Sequence, residues 1–334
     1  MKKRYTYIDL FSGAGGLSLG FSGKGFNNVL SIDIEPVFCQ TYKRNFPSHK
    51  LIQKDISKVT NEEILDILSG QHVNVVVGGP PCQGFSMAGN TGRKFIDDPR
   101  NYLFKEFARV ISVVKPEIFL MENVARLYTH NKGQTREEIL KTFAELGYKT
   151  ECKVLNTADY GVPQIRSRII FIGTHLNSKI LFPKAEFTKE NYRTIKDALG
   201  DLPILNSGES SSIPNHVAMK HSEQMLRKMS YVKDGGTKED IPANLRPQKG
   251  DARKYIRYDS HKPSVCVTGD MRKIFHYSQN RALTVRELAR IQSFPDDFIF
   301  EGSSISQQQQ VGNSVPPLFA GILAECVEEM LENA

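Results

Sequence analysis

The sequence predicts an α/β fold: a doubly wound, mostly parallel sheet with a second, smaller, loop-rich domain. Three observations predict it. Short β-branched apolar runs alternate with helical segments through the first half of the 334 residues, and such βαβ alternation marks a wound sheet. Several of these runs end in an acid, a glycine or a cysteine, and ligands bind at strand carboxyl ends in open α/β sheets. After about residue 175 the chain becomes rich in Lys, Ser, Gly, Asn and Pro with weak periodicity, so a different kind of domain begins there.

The apolar runs place strands at 5–11, 29–34, 51–56, 73–79, 118–124, 148–155 and 168–174. Residues 13–20 are a small-residue turn opening a helix. Further helices are read at 36–45, 61–68, 102–114 and 136–146, and Gly147 stops the last of these. Leu103, Phe107, Val110, Ile111 and Val114 share one face of the 102–114 helix. Helices return at 284–292 and 317–331, the latter amphipathic and expected to pack back on the first domain. Residues 303–310 are polar and low in complexity, with four glutamines. The predicted division is 1–175 with 308–334 as one domain, and 176–307 as a small domain with its hinge.

No apolar run approaches a membrane span, and the basic N-terminus lacks the long apolar region of a signal peptide. The five cysteines lack Cys-x-x-Cys spacing, which fits a reducing cytoplasm and argues against a zinc site or a disulfide framework. Net charge is +7. From residue 214 to 281 there are fourteen Lys/Arg and seven Asp/Glu, so 14 − 7 = +7, and the whole excess sits there. A concentrated basic segment is the footprint of a polyanion partner; the alternative is a solvated basic surface.

The chain is organised around Val73-Asn74-Val75-Val76-Val77-Gly78-Gly79-Pro80-Pro81-Cys82-Gln83-Gly84-Phe85-Ser86. A buried parallel strand is stopped by two glycines and two prolines, and a cysteine follows at the turn. That thiol is either structural or held where chemistry is done. Near the start, Asp9-Leu10-Phe11-Ser12-Gly13-Ala14-Gly15-Gly16 puts glycines at a strand-to-helix turn, where a ligand approaches the backbone. Asp33 lies about twenty residues on, placed for a ribose, and Asp55 follows a third strand, placed for an adenine amine. The dinucleotide fingerprint wants Gly or Ala at position 18, where Ser18 stands. A nucleoside site follows from these groups, but not its identity.

In these motifs the chain resembles the DNA (cytosine-5)-methyltransferase family of the bacterial restriction-modification type. The glycine motif and Gly79-Pro80-Pro81-Cys82-Gln83-Gly84-Phe85-Ser86 are followed by Glu122-Asn123-Val124 and Gln164-Ile165-Arg166-Ser167-Arg168. Arg281-Ala282-Leu283-Thr284-Val285-Arg286-Glu287 and Gly312-Asn313-Ser314-Val315-Pro316-Pro317 complete the series in family order. The resemblance implies a Rossmann-like methyltransferase sheet, S-adenosylmethionine as cofactor, no metal, and a cytosine flipped out of duplex DNA as substrate. It implies a cofactor pocket of Phe11, Gly13, Gly15, Asp33, Ile34, Asp55, Ile56, Pro80, Leu103 and Asn313. It makes the smaller domain a target-recognition domain and residues 1–175 with 308–334 the catalytic one. A cognate restriction endonuclease becomes a genetic partner; a cytoplasmic, nucleoid-associated, stand-alone monomer is expected.

The implied chemistry suits the residues. Carbon 5 of cytosine becomes reactive once a thiolate, Cys82, adds to carbon 6. The resulting charge spreads to N3 and O2. A protonated Glu122, its pKa raised by burial, can donate to N3. Arg166 can donate to O2; Arg168, two residues on along a strand, points the same way, and one of the two is structural. Residues 84–101 have the composition of a mobile lid, expected to close over the flipped base. Competing readings are an RNA cytosine methyltransferase, a non-catalytic DNA-binding module and a nicotinamide oxidoreductase. Ser18 disfavours the last of these.

Overall fold

The computed structural model describes residues 4–81, 102–247 and 255–334. Its strands are β1 (Thr6–Leu10), β2 (Asn27–Asp33), β3 (Leu51–Gln53), β4 (Val75–Gly78), β5 (Ile118–Val124), β6 (Lys149–Asn156), β7 (Ser167–Thr174), β8 (Ile256–Arg257) and β9 (Ile274–Phe275). Its helices are α1 (Gly16–Gly23), α2 (Pro36–Asn45), α3 (Asn61–Leu68), α4 (Tyr102–Val114), α5 (Gln134–Glu145), α6 (Ile195–Leu199), α7 (Glu223–Tyr231), α8 (Val285–Ile291), α9 (Ser304–Asn313) and α10 (Pro317–Glu332). Contacts divide the chain into two compact units. The first is Met1–Asn156, Ser167–Lys184 and Phe319–Ala334; the second is Thr157–Arg166 and Ala185–Leu318. These bounds differ from the divisions at 175 and 308 drawn from composition.

The first unit is one seven-stranded sheet in the order β3-β2-β1-β4-β5-β7-β6. β1 to β5 pair in parallel, while β7 runs antiparallel to both β5 and β6. The mostly parallel, doubly wound sheet predicted from the sequence is present. The central strands read as continuous apolar runs because both faces are covered: Val75, Val76 and Val77 are fully buried. On one face Ile8, Leu30, Val76, Phe119 and Phe171 meet Ile64 of α3, Phe107 of α4 and Phe143 of α5 in a single core. α1 meets α10 so closely that a Cβ at Gly20 would lie 2.4 Å from the Ala320 Cβ, so the last helix does return to the first unit. β6 is an edge strand, and its exposed Lys149, Glu151 and Lys153 discourage pairing with another chain.

Two local expectations change. The strand expected at 51–56 ends at Gln53, because Asp55 accepts from Ser57 N at 3.0 Å and caps a 3-10 turn, Ile56–Lys58. The polar stretch at 303–310 is helical. Ser303 caps it, and Gln308 and Gln310 are buried with backbone partners: Gln308 Oε1 accepts from Met271 N, and Gln310 Nε2 donates to Glu301 O.

The second unit has a small apolar cluster of Met229, Val232, Ile241 and Phe275, with Tyr255 packed against it. Buried arginines do much of the remaining work. The Arg257 guanidinium donates to the carbonyls of Met229, Val232, His276 and Gln279 and to Asn280 Oδ1. Arg286 donates to the carbonyls of Pro214, Pro295 and Phe298. Arg281 forks onto both oxygens of Glu287, while Thr284 and Glu287 form a capping box at the start of α8. Arg257 and Arg281 are therefore structural, so the +7 counted over 214–281 overstates the charge offered to a polyanion. Among the described residues no helix is long and apolar enough to cross a membrane.

Glu287 lies between Arg281, His216 and His276 in a fully buried cluster. Burial alone would raise the Glu287 carboxyl, but the Arg281 and His216 hydrogen bonds outweigh it and hold the group well below the usual range. Burial pushes His276 down to about 4. A depressed acid contributes stability that is lost as pH falls through its folded value. A depressed histidine lets the unfolded chain take up protons first, from about pH 6.5 downward. Both signs agree. Hydrogen exchange mapped along the chain should show 185–318 losing protection as pH drops from 6.5 toward 4, before any global transition. Uniform protection over that range would contradict this.

Candidate active site

The strand ends of the first unit carry two groups of residues. The turn from β1 to α1 is left-handed at Phe11 (φ 59°), Gly13 (φ 56°) and Gly15 (φ 100°). A Cβ on Gly15 would lie 2.4 Å from Phe46 Cε2, whereas one on Gly13 would meet nothing within 4 Å. Gly15 is thus required by its neighbours as well as by its φ, and Gly13 faces open space. Asp33, at the end of β2, secures the turn: Oδ2 accepts from Gly13 N at 2.8 Å and Oδ1 from Glu35 N at 2.9 Å. Burial raises the Asp33 carboxyl, and the amides of Glu35 and Gly13 offset part of that. Each oxygen retains a further lone pair for a hydroxyl.

Ile34, beside it, is 54% exposed, although a large aliphatic side chain is normally covered. Asp55 is tied through Oδ1 to Ser57 N and Oγ. Ile56 and Leu103 are buried. An open glycine turn, an exposed aliphatic and two carboxylates in sequence fit a nucleoside cofactor.

The second group surrounds the turn after β4. Cys82 and the residues of the expected lid lie outside the described residues; Gly79, Pro80 and Pro81 are described. A Cβ on Gly79 would stand 3.1 Å from Glu122 Oε2, so the Glu122 carboxylate rests against the turn that leads to Cys82. Asn123 Nδ2 donates to Pro80 O at 2.9 Å. Glu122 Oε1 is ion-paired with Arg168 Nε at 2.8 Å, both side chains being mostly buried. Register explains the pair: Val124 faces Arg168 and Glu122 faces Ile170, so Glu122 and Arg168 are diagonal neighbours on one face.

The structure brings Phe11, Gly13, Gly15 and Asp33 into one turn, and Pro80, Glu122 and Arg168 into one cluster. Arg166 is not on the strand with Arg168, because β7 starts at Ser167. It is buried in the second unit, where its Nη2 donates to Ser314 O at 3.1 Å and its Nη1 to Val267 O at 3.4 Å. Asn313, in the same unit, is exposed at the end of α9. Sequence reasoning placed Asn123 in a motif without a task. No local signal marks that task, because Pro80 lies 43 residues away in the chain.

A seven-stranded sheet with one reversed strand, a glycine turn at its first strand end and an acid–guanidinium pair beside a Pro-Pro turn define an α/β methyltransferase fold. A prophage-encoded E. coli protein assigned as a DNA modification methyltransferase shares this architecture, with a TM-score of 0.80 and 28% identity over 98% of this chain and 99% of its own. The S. pombe Dnmt2 methyltransferase, at 21% identity and a TM-score of 0.68 over 99% of both chains, shares the fold. The chain belongs to the C-5 cytosine-specific DNA methylase family, whose model matches residues 5–329, and is a DNA (cytosine-5)-methyltransferase. The Type II methyltransferase M1.HphI of Haemophilus parahaemolyticus is 62% identical over 328 residues, covering 98% of this chain and 88% of its own. M.DdeI of Desulfomicrobium norvegicum is 35% identical over 98% of this chain and 89% of its own.

Asn123→Ala should leave the Pro80 carbonyl without its side-chain donor, at a cost of about 1–3 kcal/mol. Urea denaturation is expected to show that loss, together with reduced methyl transfer. Unchanged stability and rate would remove Asn123 from the site.

Proposed function

We propose that the chain transfers a methyl group from S-adenosylmethionine to carbon 5 of a cytosine flipped out of duplex DNA, through a covalent bond between Cys82 and carbon 6. The observation that carries this is the Glu122–Arg168 pair seated against Gly79, three residues before Cys82. It supplies an acid and a fixed positive charge next to the nucleophile's turn. Asp33, Asp55, Ile34 and the open turn at Gly13 are the residues that would hold the cofactor, with Phe11, Gly15, Ile56, Pro80 and Leu103 shaping the pocket around them. When bound, that cofactor supplies an electrophilic methyl group.

The Cys82 thiolate adds to carbon 6, and the electron pair of the 5,6 double bond moves toward the ring's N3–O2 edge. Glu122, a carboxylate paired with Arg168 in this structure, takes up a proton from solvent and passes it to N3 as charge develops there. Arg168, held by Glu122, stabilises charge at the same edge. After carbon 5 gains its methyl group, the N3 proton returns to Glu122, the carbon 5 proton passes to water, and the Cys82–carbon 6 bond breaks, restoring the aromatic ring and the thiolate. Of the two arginines in the Gln-Ile-Arg-Ser-Arg motif, Arg168 takes the charge-stabilising part and Arg166 the structural one, since the Arg166 guanidinium is committed to the carbonyls of Val267 and Ser314. Flipping the base costs a few kcal/mol, offset by phosphate contacts from exposed lysines and arginines of the second unit.

The type II naming of the relatives supports a restriction-modification setting, in which a cognate endonuclease would be the genetic partner; the proposed enzyme acts as a monomer, on one strand at a time.

Two variants test the assignment. Cys82→Ser should abolish transfer of labelled methyl groups to duplex DNA. Arg168→Ala should lower kcat by about 10²–10³, the usual loss for one oxyanion donor, with the fold intact by circular dichroism. Methyl transfer by the serine variant at the parental rate would overturn the mechanism. A kcat for the Arg168 variant within threefold of the parent would return the role to Arg166.

A further inference from the structure

Asp9 is wholly buried on β1, two residues before Phe11, and the scheme above gives it no role. Its Oδ2 accepts from Ser18 Oγ of α1 at 2.6 Å, while its buried Oδ1 has no hydrogen-bond partner. Ser18 Oγ lies 2.7 Å from Tyr42 OH of α2. Tyr42 OH lies 2.6 Å from Ser31 Oγ of β2 and 3.0 Å from His49 Nδ1. Asn28 Nδ2 donates to Ser31 Oγ at 3.0 Å.

Counting protons fixes the direction of this chain. Ser18 gives its one hydroxyl proton to Asp9, so it accepts from Tyr42. Tyr42 has then used its own, so Ser31 and His49, in its Nδ1–H tautomer, donate to it. Each donor points toward the Asp9 carboxylate, the terminus for which such an ordering is strongest. The chain therefore joins β1, β2, α1 and α2 through one carboxyl group, and the turn 11–15 lies between two of those elements. Burial works against the ionised form, so the group titrates at about 7.

Facing it are Asp33 from the end of β2, Tyr7 on β1, Tyr42 on α2 and His49 beyond α2, whose imidazole burial pushes down. α1 and β4 bring no ionisable side chain. Ser18, the residue that departs from the dinucleotide fingerprint, is the link between Asp9 and Tyr42.

We propose that Asp9 is a positioning residue for the cofactor turn: its carboxylate holds Ser18, and through it the first turn of α1, where residues 11–15 stand open. This rests on reading that turn as the S-adenosylmethionine seat. A cofactor carrying a positive sulfonium favours the same ionised form, so cofactor affinity and Asp9 ionisation are linked.

The test is equilibrium binding of S-adenosylmethionine to the full chain between pH 6 and 8.5, beside labelled-methyl transfer to duplex DNA. One coupled proton changes affinity by at most tenfold per pH unit, so Kd should fall about three- to tenfold as pH rises through 7. Asp9→Asn keeps an acceptor for Ser18 but cannot ionise; its Kd should be flat with pH, with the deficit appearing in KM for the cofactor more than in kcat. Ser18→Ala should weaken binding at every pH while retaining the pH dependence. An Asp9→Asn protein with the parent's pH dependence overturns the proposal. If that variant does not fold, unchanged cofactor affinity in Ser18→Ala overturns it. Cofactor binding without methyl transfer to DNA would sink the proposed function and leave the Asp9 assignment standing; absence of cofactor binding to the parent would sink both.

Discussion

Parallel pairing brings the carboxyl ends of β1, β2, β3, β4 and β5 to one edge of the sheet, and the first unit's candidate groups all depend on that. Inside the sheet both faces are covered, so Val75 to Val77 and Ile118 to Leu120 must be apolar. Most polar groups are confined to the places where strands stop. Gly13 follows β1, Asp33 ends β2, Asp55 follows β3, Gly79 follows β4 and Glu122 lies near the end of β5. Five separate stretches of chain thus deliver their polar residues to one rim without any of them needing a local reason to be there.

The reversed strand supplies what parallel strands cannot. A parallel neighbour of β5 would begin at the opposite rim, and a residue at its start would lie a full strand length from Glu122. Because β7 is antiparallel, its second residue, Arg168, faces Val124. The guanidinium thus reaches the rim beside Glu122 and pairs with it. Both partners are mostly buried, where a pair with good geometry is strongly favoured over either charge alone. The same reversal leaves Arg166 ahead of the strand, free of the alternation that would have aligned it with Arg168.

Strand runs and the glycine turn were legible because burial on both faces and positive φ each leave a compositional trace. The motif series carried the enzyme class, and the family match agrees with that. Three features were not legible, each for a physical reason. The insertion of β7 between β5 and β6 is a matter of pairing, and an apolar run does not name its neighbour. α9 was hidden because Gln308 and Gln310 are buried by bonding backbone groups, so no apolar stripe marks the inward face. The basic segment misled in part, since Arg257 and Arg281 lie inside and satisfy carbonyls and Glu287. Charge counted along a sequence says nothing about which side of the surface it occupies. Ser18 stands out in the sequence as a departure from a glycine fingerprint, but its partners, Asp9 and Tyr42, come from different elements, β1 and α2.

Two buried acids show how the same burial yields opposite dependences on pH. Glu287 has a bidentate guanidinium, so its charge is compensated and its carboxyl is depressed; acid removes the stability it contributes. Asp9 has one hydroxyl and an unpartnered oxygen, so its carboxyl rises from 3.8 to about 7. A raised acid works in reverse: its contribution is full below 3.8 and is lost as pH rises toward 7, because the native state holds the proton that the unfolded chain releases. Near neutrality the first unit therefore carries a cost that a neutral residue at position 9 would avoid. Groups retained at such a cost are found where a function needs them. The carboxylate end of the Ser31–Tyr42–Ser18 chain lies on β1, two residues before Phe11, and the cofactor seat proposed at 11–15 is the function that would need it.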